Sequence, residues 1–247
     1  MVNVLIPMAG PNLFFSEAEF PFPKPLIEIR GKTMIEHVVE NFSSLAVPHR
    51  FVFVVRSSDC RKYHLDSTLS LITNNQCRIV RLDSETQGAA CSALMATPLI
   101  GNQTSLIISN FDQLFDQSLN KLIFEFHDAD AGVVTFDSVH PRWSYVRLDE
   151  DGFVIETAEK RPISRRAIAG LYYFRHGFDF VEAAMRTIRK GSSVNGHFYI
   201  APTLNELILE GKKIRAKAAD NGRYHTFYTP RKIEEFELKI AEPTHDL

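Results

Sequence analysis

Lys24 lies between two prolines in Pro23-Lys24-Pro25. The prolines restrict the backbone, so the ammonium group is presented from a fixed base. A lysine held this way near a glycine turn is suited to clamp a phosphate. The turn is Pro7-Met8-Ala9-Gly10, where small residues let backbone approach a ligand closely. A third segment, Gly88-Ala89-Ala90, opens a helix with residues small enough for a flat ring to rest on. Its free N–H groups can also meet an anion. The fourth is Ser109-Asn110-Phe111-Asp112-Gln113. An aspartate just past a buried apolar strand suits a magnesium ion held by one or two carboxylates plus substrate phosphates. Each reading has a structural counterpart: a rigid loop, a strand–helix turn, a helix N-cap. The elements that carry these residues therefore matter as much as the residues.

Short β-branched apolar runs alternate with helical patterns, which predicts βαβ units, a mixed, mainly parallel central sheet and flanking helices. Strands are expected at residues 2–6, 50–55, 78–82 and 105–108, each brief, apolar and bounded by turn or polar residues. Residues 33–42 read as a helix, with Thr33 as N-cap and Glu36 three residues on completing a capping box. Residues 88–96 read as another. Further strands are expected at 132–137, 144–148, 153–156 and 169–174, with a hairpin turn at Asp149-Glu150-Asp151-Gly152. Helices follow at 178–189 and from Pro202 to Leu209. The pattern suits one domain over 1–247, with a nucleotide-binding lobe at 1–130 and a small β-rich acceptor lobe at 131–247. In an open parallel sheet ligands bind beyond the carboxyl ends of the strands. The Pro7, Asp83 and Ser109 loops all leave such ends.

Bulk composition excludes several classes. The 247 residues carry a net charge of −2, with 45% hydrophobic and 23% charged residues, an ordinary globular profile. No charge bias points to nucleic acid or a membrane surface. The densest basic cluster, Lys160-Arg161 with Arg165-Arg166, is enough for one phosphate and too short for a duplex. Three cysteines without a CxxC pair and the lack of a membrane-length apolar run predict a cytoplasmic protein.

The ordered series IPMAG, PKPLIEIRGKTMIEHVVENF, ETQGAACSAL, SNFDQ, EKRPIS…AGLYYF and NGHFYIAPTLNELI resembles the sugar-phosphate nucleotidyltransferase family over residues 2–236. HPRWSYVRLDEDGFVIETAEK is most similar to the branch found in capsule and surface-polysaccharide clusters. The resemblance implies a Rossmann-like nucleotidyltransferase (GT-A-like) fold. It also implies transfer of a nucleoside monophosphate from an NTP to a phosphorylated sugar or other small acceptor, with Mg2+ as cofactor and pyrophosphate as the second product. By position it implies that Pro7, Met8, Ala9 and Gly10 pack against the nucleotide and Lys24 touches phosphate. Gly88 and Ala89 would floor the base pocket with Asn110 nearby, and Asp112 would hold the metal. Glu159 and Lys160 would face the acceptor and its phosphate, making Lys24, Asp112 and Lys160 the catalytic set. Gly170 and Asn195 would line the acceptor lobe. A homodimer is compatible with this reading.

Asp83 stands where relatives that use uridine or thymidine nucleotides usually carry Gln. A carboxylate only accepts hydrogen bonds, so it suits the N4 amine of cytosine and predicts CTP as donor. The chain also departs from the family pattern. Where the family reads G-x-G-x-R, residues 10–16 read GPNLFFS, with no second glycine and no arginine. Thr226 replaces the aspartate of a D-I-G-T-P motif, His197 stands where Glu is common, and Tyr145 stands where sugar enzymes have Gly, filling hexose space. His140-Pro141 reads as a turn and Trp143 as packing between lobes. These departures keep two other readings open: a nucleotide-binding relative without turnover, and a GT-A glycosyltransferase with Asp112 as its metal residue.

Overall fold

The computed structural model describes residues 1–11, 14–16 and 18–241. Asn12 and Leu13, in the GPNLFFS stretch that departs from the family pattern, lie outside these residues. The first half runs β1 (Val2–Pro7), a 3-10 turn (Lys24–Leu26), β2 (Glu28–Ile29), β3 (Lys32–Thr33), α1 (Met34–Ser43) and β4 (His49–Arg56). It continues with α2 (Ser57–Tyr63), α3 (Leu65–Ile72), β5 (Cys77–Leu82), α4 (Ala89–Leu94), α5 (Thr97–Ile100), β6 (Ser105–Ser109), β7 (Gln113–Phe115) and α6 (Leu119–Phe124). The second half contains β8 (Ala131–Asp137), β9 (Ser144–Leu148), β10 (Val154–Glu159), β11 (Arg166–Phe174) and α7 (Gly177–Arg189). It ends with α8 (Thr203–Leu209), β12 (Ile214–Ala218), β13 (Tyr224–Thr226) and α9 (Pro230–Ala241).

A nine-stranded mixed sheet joins both halves. Its path is β10-β9-β11-β6-β1-β4-β5, and β8 adds to β11 and carries β12. The pairs β6·β1, β1·β4 and β4·β5 are all parallel. Strand order reverses around β1, because β4 and β5 extend to one side and β6 to the other. The crevice beyond β1 and β6 is thus the topological switch point, the expected ligand position in such a sheet. The sheet does not stop at residue 130, since β11 pairs antiparallel with both β6 and β8.

Strand periodicity explains the two main cores. Leu5, Val52, Val54, Leu106 and Ile108 face α4, α7 and α8. Val4, Ile6, Phe51, Phe53 and Ile107 face α1 and α6 on the other side. A third cluster joins Phe15, Ile27 and Met34 to Phe227, Ile233 and Phe236, so α9 fastens the segment that carries Lys24. The α1 capping box is present: the Thr33 N–H donates to Glu36 Oε2 at 2.6 Å and Thr33 Oγ1 accepts from Glu36 N. That hydrogen bonding holds the Glu36 carboxyl below its usual range. The hairpin turn is also as expected, with the Phe153 N–H donating to Asp149 Oδ1 at 2.8 Å and Gly152 at φ +82. The register of β10 runs three residues further than predicted, to Glu159, which carries that residue into the crevice.

Candidate active site

A cleft of about 270 Å³ opens at the switch point. From the first half it is lined by Pro7, Ala89, Asn110, Phe111 and Asp112. From the second half come Ser144, Glu159, Ile168 and Gly170, with Arg142, Trp143, Tyr172, Tyr199, Ile200, Thr226 and Tyr228 completing the walls.

Lys24 and Asp112, 88 positions apart, meet in an ion pair of 2.6 Å. Lys24 is only 7% exposed, and its Nζ also lies 5.1–5.5 Å from the ring centroids of Phe15, Phe111 and Tyr228. The proline-held turn and the third core cluster deliver the lysine from one side. The β6–β7 loop delivers the aspartate from the other. That loop is fixed by Gly170, whose carbonyl accepts from the Asn110 N–H at 3.0 Å and from Gln113 Nε2 at 3.1 Å. Gly170 has φ +62, and a Cβ there would lie 2.3 Å from Asn110 Nδ2, so only glycine fits without displacing the loop. The antiparallel pairing of β7 with β13 sets Thr226 beside Asp112, and the Phe227 N–H donates to the Asp112 carbonyl at 2.7 Å.

The cleft wall from the second half centres on Glu159. Its carboxylate accepts a short hydrogen bond from Ser144 Oγ. Burial pushes the Glu159 carboxyl above its ordinary range, opposed by the Ser144 bond and by Lys160. A raised acid pKa favours the folded state below the unfolded value of 4.5, and that advantage is lost as pH rises through the folded value. Glu159→Gln is therefore expected to melt higher than the parent at neutral pH, with the gap closing below pH 4.5. Melting curves across pH check this; a gap constant with pH would remove burial of charge as its cause. Lys160 takes a left-handed conformation, φ +55, and its Nζ donates to the Tyr199 hydroxyl at 2.6 Å.

Several predicted site residues are placed differently. Met8 is core, 2% exposed, and Ala9, 7% exposed, packs into the core on the opposite face of the sheet, so only Pro7 of that turn lines the cleft. Gly10 is exposed, with open space where a Cβ would stand. Gly88 is not a bare floor: its α-carbon abuts the backbone of Phe198, leaving Ala89 to line the cleft. The Asp83 side chain is 86% exposed and stands 3.9 Å from Arg61, outside the cleft lining. Tyr145 is a correction. It is fully buried and donates to the His140 carbonyl at 2.6 Å. Adjacent Ser144 points into the cleft, so the pleat sends Tyr145 to the opposite face. Asn195 and His197 are also corrected. Asn195 at φ +52 and Gly196 at φ +76 make a tight exposed turn, and the chain enters the cleft only at Tyr199 and Ile200.

His140 is in a turn, its carbonyl also receiving the Trp143 N–H. Trp143 packs edge-on against Phe136 and near Tyr228, yet it also lines the cleft. Nothing in the sequence analysis singles out Arg142, Ser144, Tyr172, Tyr199 or Tyr228. The one local signal is a basic residue beside a tryptophan in a proline turn, Pro141-Arg142-Trp143.

Among the described residues no group of three or more His, Cys, Asp or Glu side chains is placed to hold a metal. One carboxylate, half engaged by Lys24, fits a hard cation that arrives with substrate phosphates. No helix among the described residues is long and apolar enough to cross a membrane.

The chain is 24% identical over 208 residues to the bifunctional protein GlmU of Exiguobacterium sibiricum, covering 79% of this chain and 44% of that protein. The chain thus spans less than half the length of this curated relative. Its fold matches the nucleoside-diphosphate-sugar pyrophosphorylase of Vibrio cholerae with TM-score 0.84 at 26% identity, over 95% of this chain and 99% of that one. An inositol-1-phosphate CTP transferase from T. maritima shares the fold with TM-score 0.76 at 15% identity, over 97% and 96% of the two chains. The family model of the MobA-like NTP transferase domain matches residues 19–176, from just before Lys24 to the end of β11. The chain belongs to this MobA-like NTP transferase domain family.

Proposed function

We propose that the chain transfers a nucleoside monophosphate from an NTP to a small phosphorylated acceptor, a sugar phosphate or a related compound, and releases pyrophosphate. One observation carries the reading. Asp112, paired with Lys24, lines the cleft at the sheet's switch point together with the half-buried Glu159. In the reaction an oxygen of the acceptor phosphate attacks the α-phosphorus. A new P–O bond forms as the α–β bridging bond breaks, and pyrophosphate leaves with the bond's electrons. The protein's share is alignment and charge neutralisation, with no covalent enzyme intermediate. Magnesium, when bound, neutralises charge on the transferring phosphates; Asp112 would hold it. Glu159 orients hydroxyl or amine groups of the acceptor, and Lys160 with Tyr199 meets its phosphate.

CTP is the donor we favour. Recognition by Asp83 requires its carboxylate to leave Arg61 for the cytosine amine, which its exposure permits. Asp83→Asn is expected to narrow the preference for CTP over UTP about tenfold, the scale of one discriminating hydrogen bond. Nucleotide titrations of both forms check this; an unchanged ratio removes Asp83 from base recognition. The product would serve as an activated precursor of surface polysaccharide made in the cytoplasm. A pyrophosphate-release assay of each NTP against phosphorylated sugars, polyols and amino-acid derivatives tests the activity. Release with none of them would overturn it.

A further inference from the structure

Among the described residues three cations reach the cleft region, and two are already engaged. Lys24 is paired with Asp112, and Lys160 is bonded to the Tyr199 hydroxyl. The sequence of residues 10–16 contains no lysine or arginine. A polyphosphate entering here meets one other cation, Arg142.

Arg142 lines the cleft and is exposed. Its guanidinium carbon lies 5.4 Å from the ring centroid of Tyr228 and 5.9 Å from that of Trp143. Arg142 Nε donates to His140 Nδ1 at 3.1 Å, and Nη2 lies 3.2 Å from Nε2 of the same ring. No ion pair of the described residues includes Arg142. The electrostatic influence of both Arg142 and Asp112 reaches the Tyr228 hydroxyl, so the guanidinium flanks the same ring that covers the Lys24–Asp112 pair. Its neutral resting contacts are weak at an exposed site. Phosphoryl oxygens offer a planar guanidinium two parallel charge-assisted hydrogen bonds, which are stronger.

We propose that Arg142 is the phosphate-binding arginine of this cleft, resting on Trp143, Tyr228 and His140 until phosphoryl oxygens of a reactant draw it inward. The inference rests on the nucleotidyl-transfer reading for the identity of that reactant. The phosphate can belong to the donor triphosphate or to the acceptor, and the two sources are separable.

Trp143 is the chain's single tryptophan and touches the guanidinium, so its fluorescence reports on Arg142 directly. Inorganic pyrophosphate and inorganic phosphate are titrated into the parent, Arg142→Gln and Arg142→Lys, with a melting curve for each. The expected result is saturable pyrophosphate or phosphate binding in the parent, at least tenfold weaker in Arg142→Gln and intermediate in Arg142→Lys. KM rising for the NTP assigns the contact to the donor, and KM rising for the acceptor assigns it to the acceptor. Equal affinities in the parent and Arg142→Gln, or no saturable binding in the parent, would overturn the proposal. Tenfold weaker anion binding in Arg142→Gln, with no NTP and acceptor pair turned over by the parent, would keep Arg142 and sink the transfer reading.

Discussion

Asp112→Ala is expected to lose about a hundredfold to a thousandfold in turnover and to melt well below the parent. The activity loss is the usual scale for removing one preorganised electrostatic group at a transferring centre. The stability loss has a separate origin. Lys24 Nζ is bonded to Asp112 at 2.6 Å, with side-chain exposures of 9% and 15%. Deleting one member of such a pair leaves a charge buried without compensation, at a cost of about 3 kcal/mol. The double variant Lys24→Met/Asp112→Asn separates the two roles, because it removes both charges and keeps the shape. It should regain most of the melting temperature and none of the turnover. Recovery of turnover in the double variant would mean that the pair is a structural tie alone.

Gly88→Ala is expected to be the most destabilising single methyl addition near the cleft. The added Cβ would lie 2.4 Å from the Phe198 carbonyl oxygen and 2.8 Å from its nitrogen, at φ +106. Both neighbours are backbone, and both are tied. The Phe198 N–H donates to the Gln87 carbonyl at 2.7 Å, and the Ala90 N–H donates to the Phe198 carbonyl at 3.0 Å. The strained conformation alone costs roughly 1–3 kcal/mol, and relief of the clash must break this clasp. Denaturant titration of Gly88→Ala beside Gly10→Ala provides the comparison. At Gly10 an added Cβ meets nothing within 4 Å, so stability there should hold. Similar losses at both positions would contradict the Phe198 clasp as the cause.

The first half of the chain was readable because its signals are local. Thr33 with Glu36 marks a helix start within four residues, and an apolar run bounded by turns marks each parallel strand. Lys24 and Asp112 were readable from their immediate neighbours, although only the sheet order shows that they meet. The cleft wall contributed by the second half was readable only in part: the resemblance named Glu159 and Gly170, which line the cleft, but not Ser144, Tyr172, Tyr199 or Tyr228. Whether Ser144 or Tyr145 enters the cleft is a matter of strand parity. Whether Glu159 enters depends on how far β10 runs, and Ile168, Gly170 and Tyr172 line the cleft across an irregular register in β11. Asn195 and His197 failed for a related reason. Their motif lies close to the cleft in sequence, but two consecutive positive φ values turn it outward before Tyr199 arrives. Asp83 was singled out by donor and acceptor chemistry, which does not report that its resting side chain faces Arg61 and solvent.

The pairing of β11 with both β6 and β8 has a consequence for how such an enzyme changes its substrates. The cleft walls from the first and second halves of the chain belong to one continuous hydrogen-bonded sheet. Their spacing is set by backbone geometry rather than by the side chains that face the ligands. The turn around Pro141 and the segment before Pro230, which carry Arg142, Trp143 and Tyr228 into the cleft, can then diverge in sequence while the distance across the cleft stays constant. Grafting those two short stretches between related chains should exchange reactant preference with the sheet spacing unchanged, a modular route to new activated precursors.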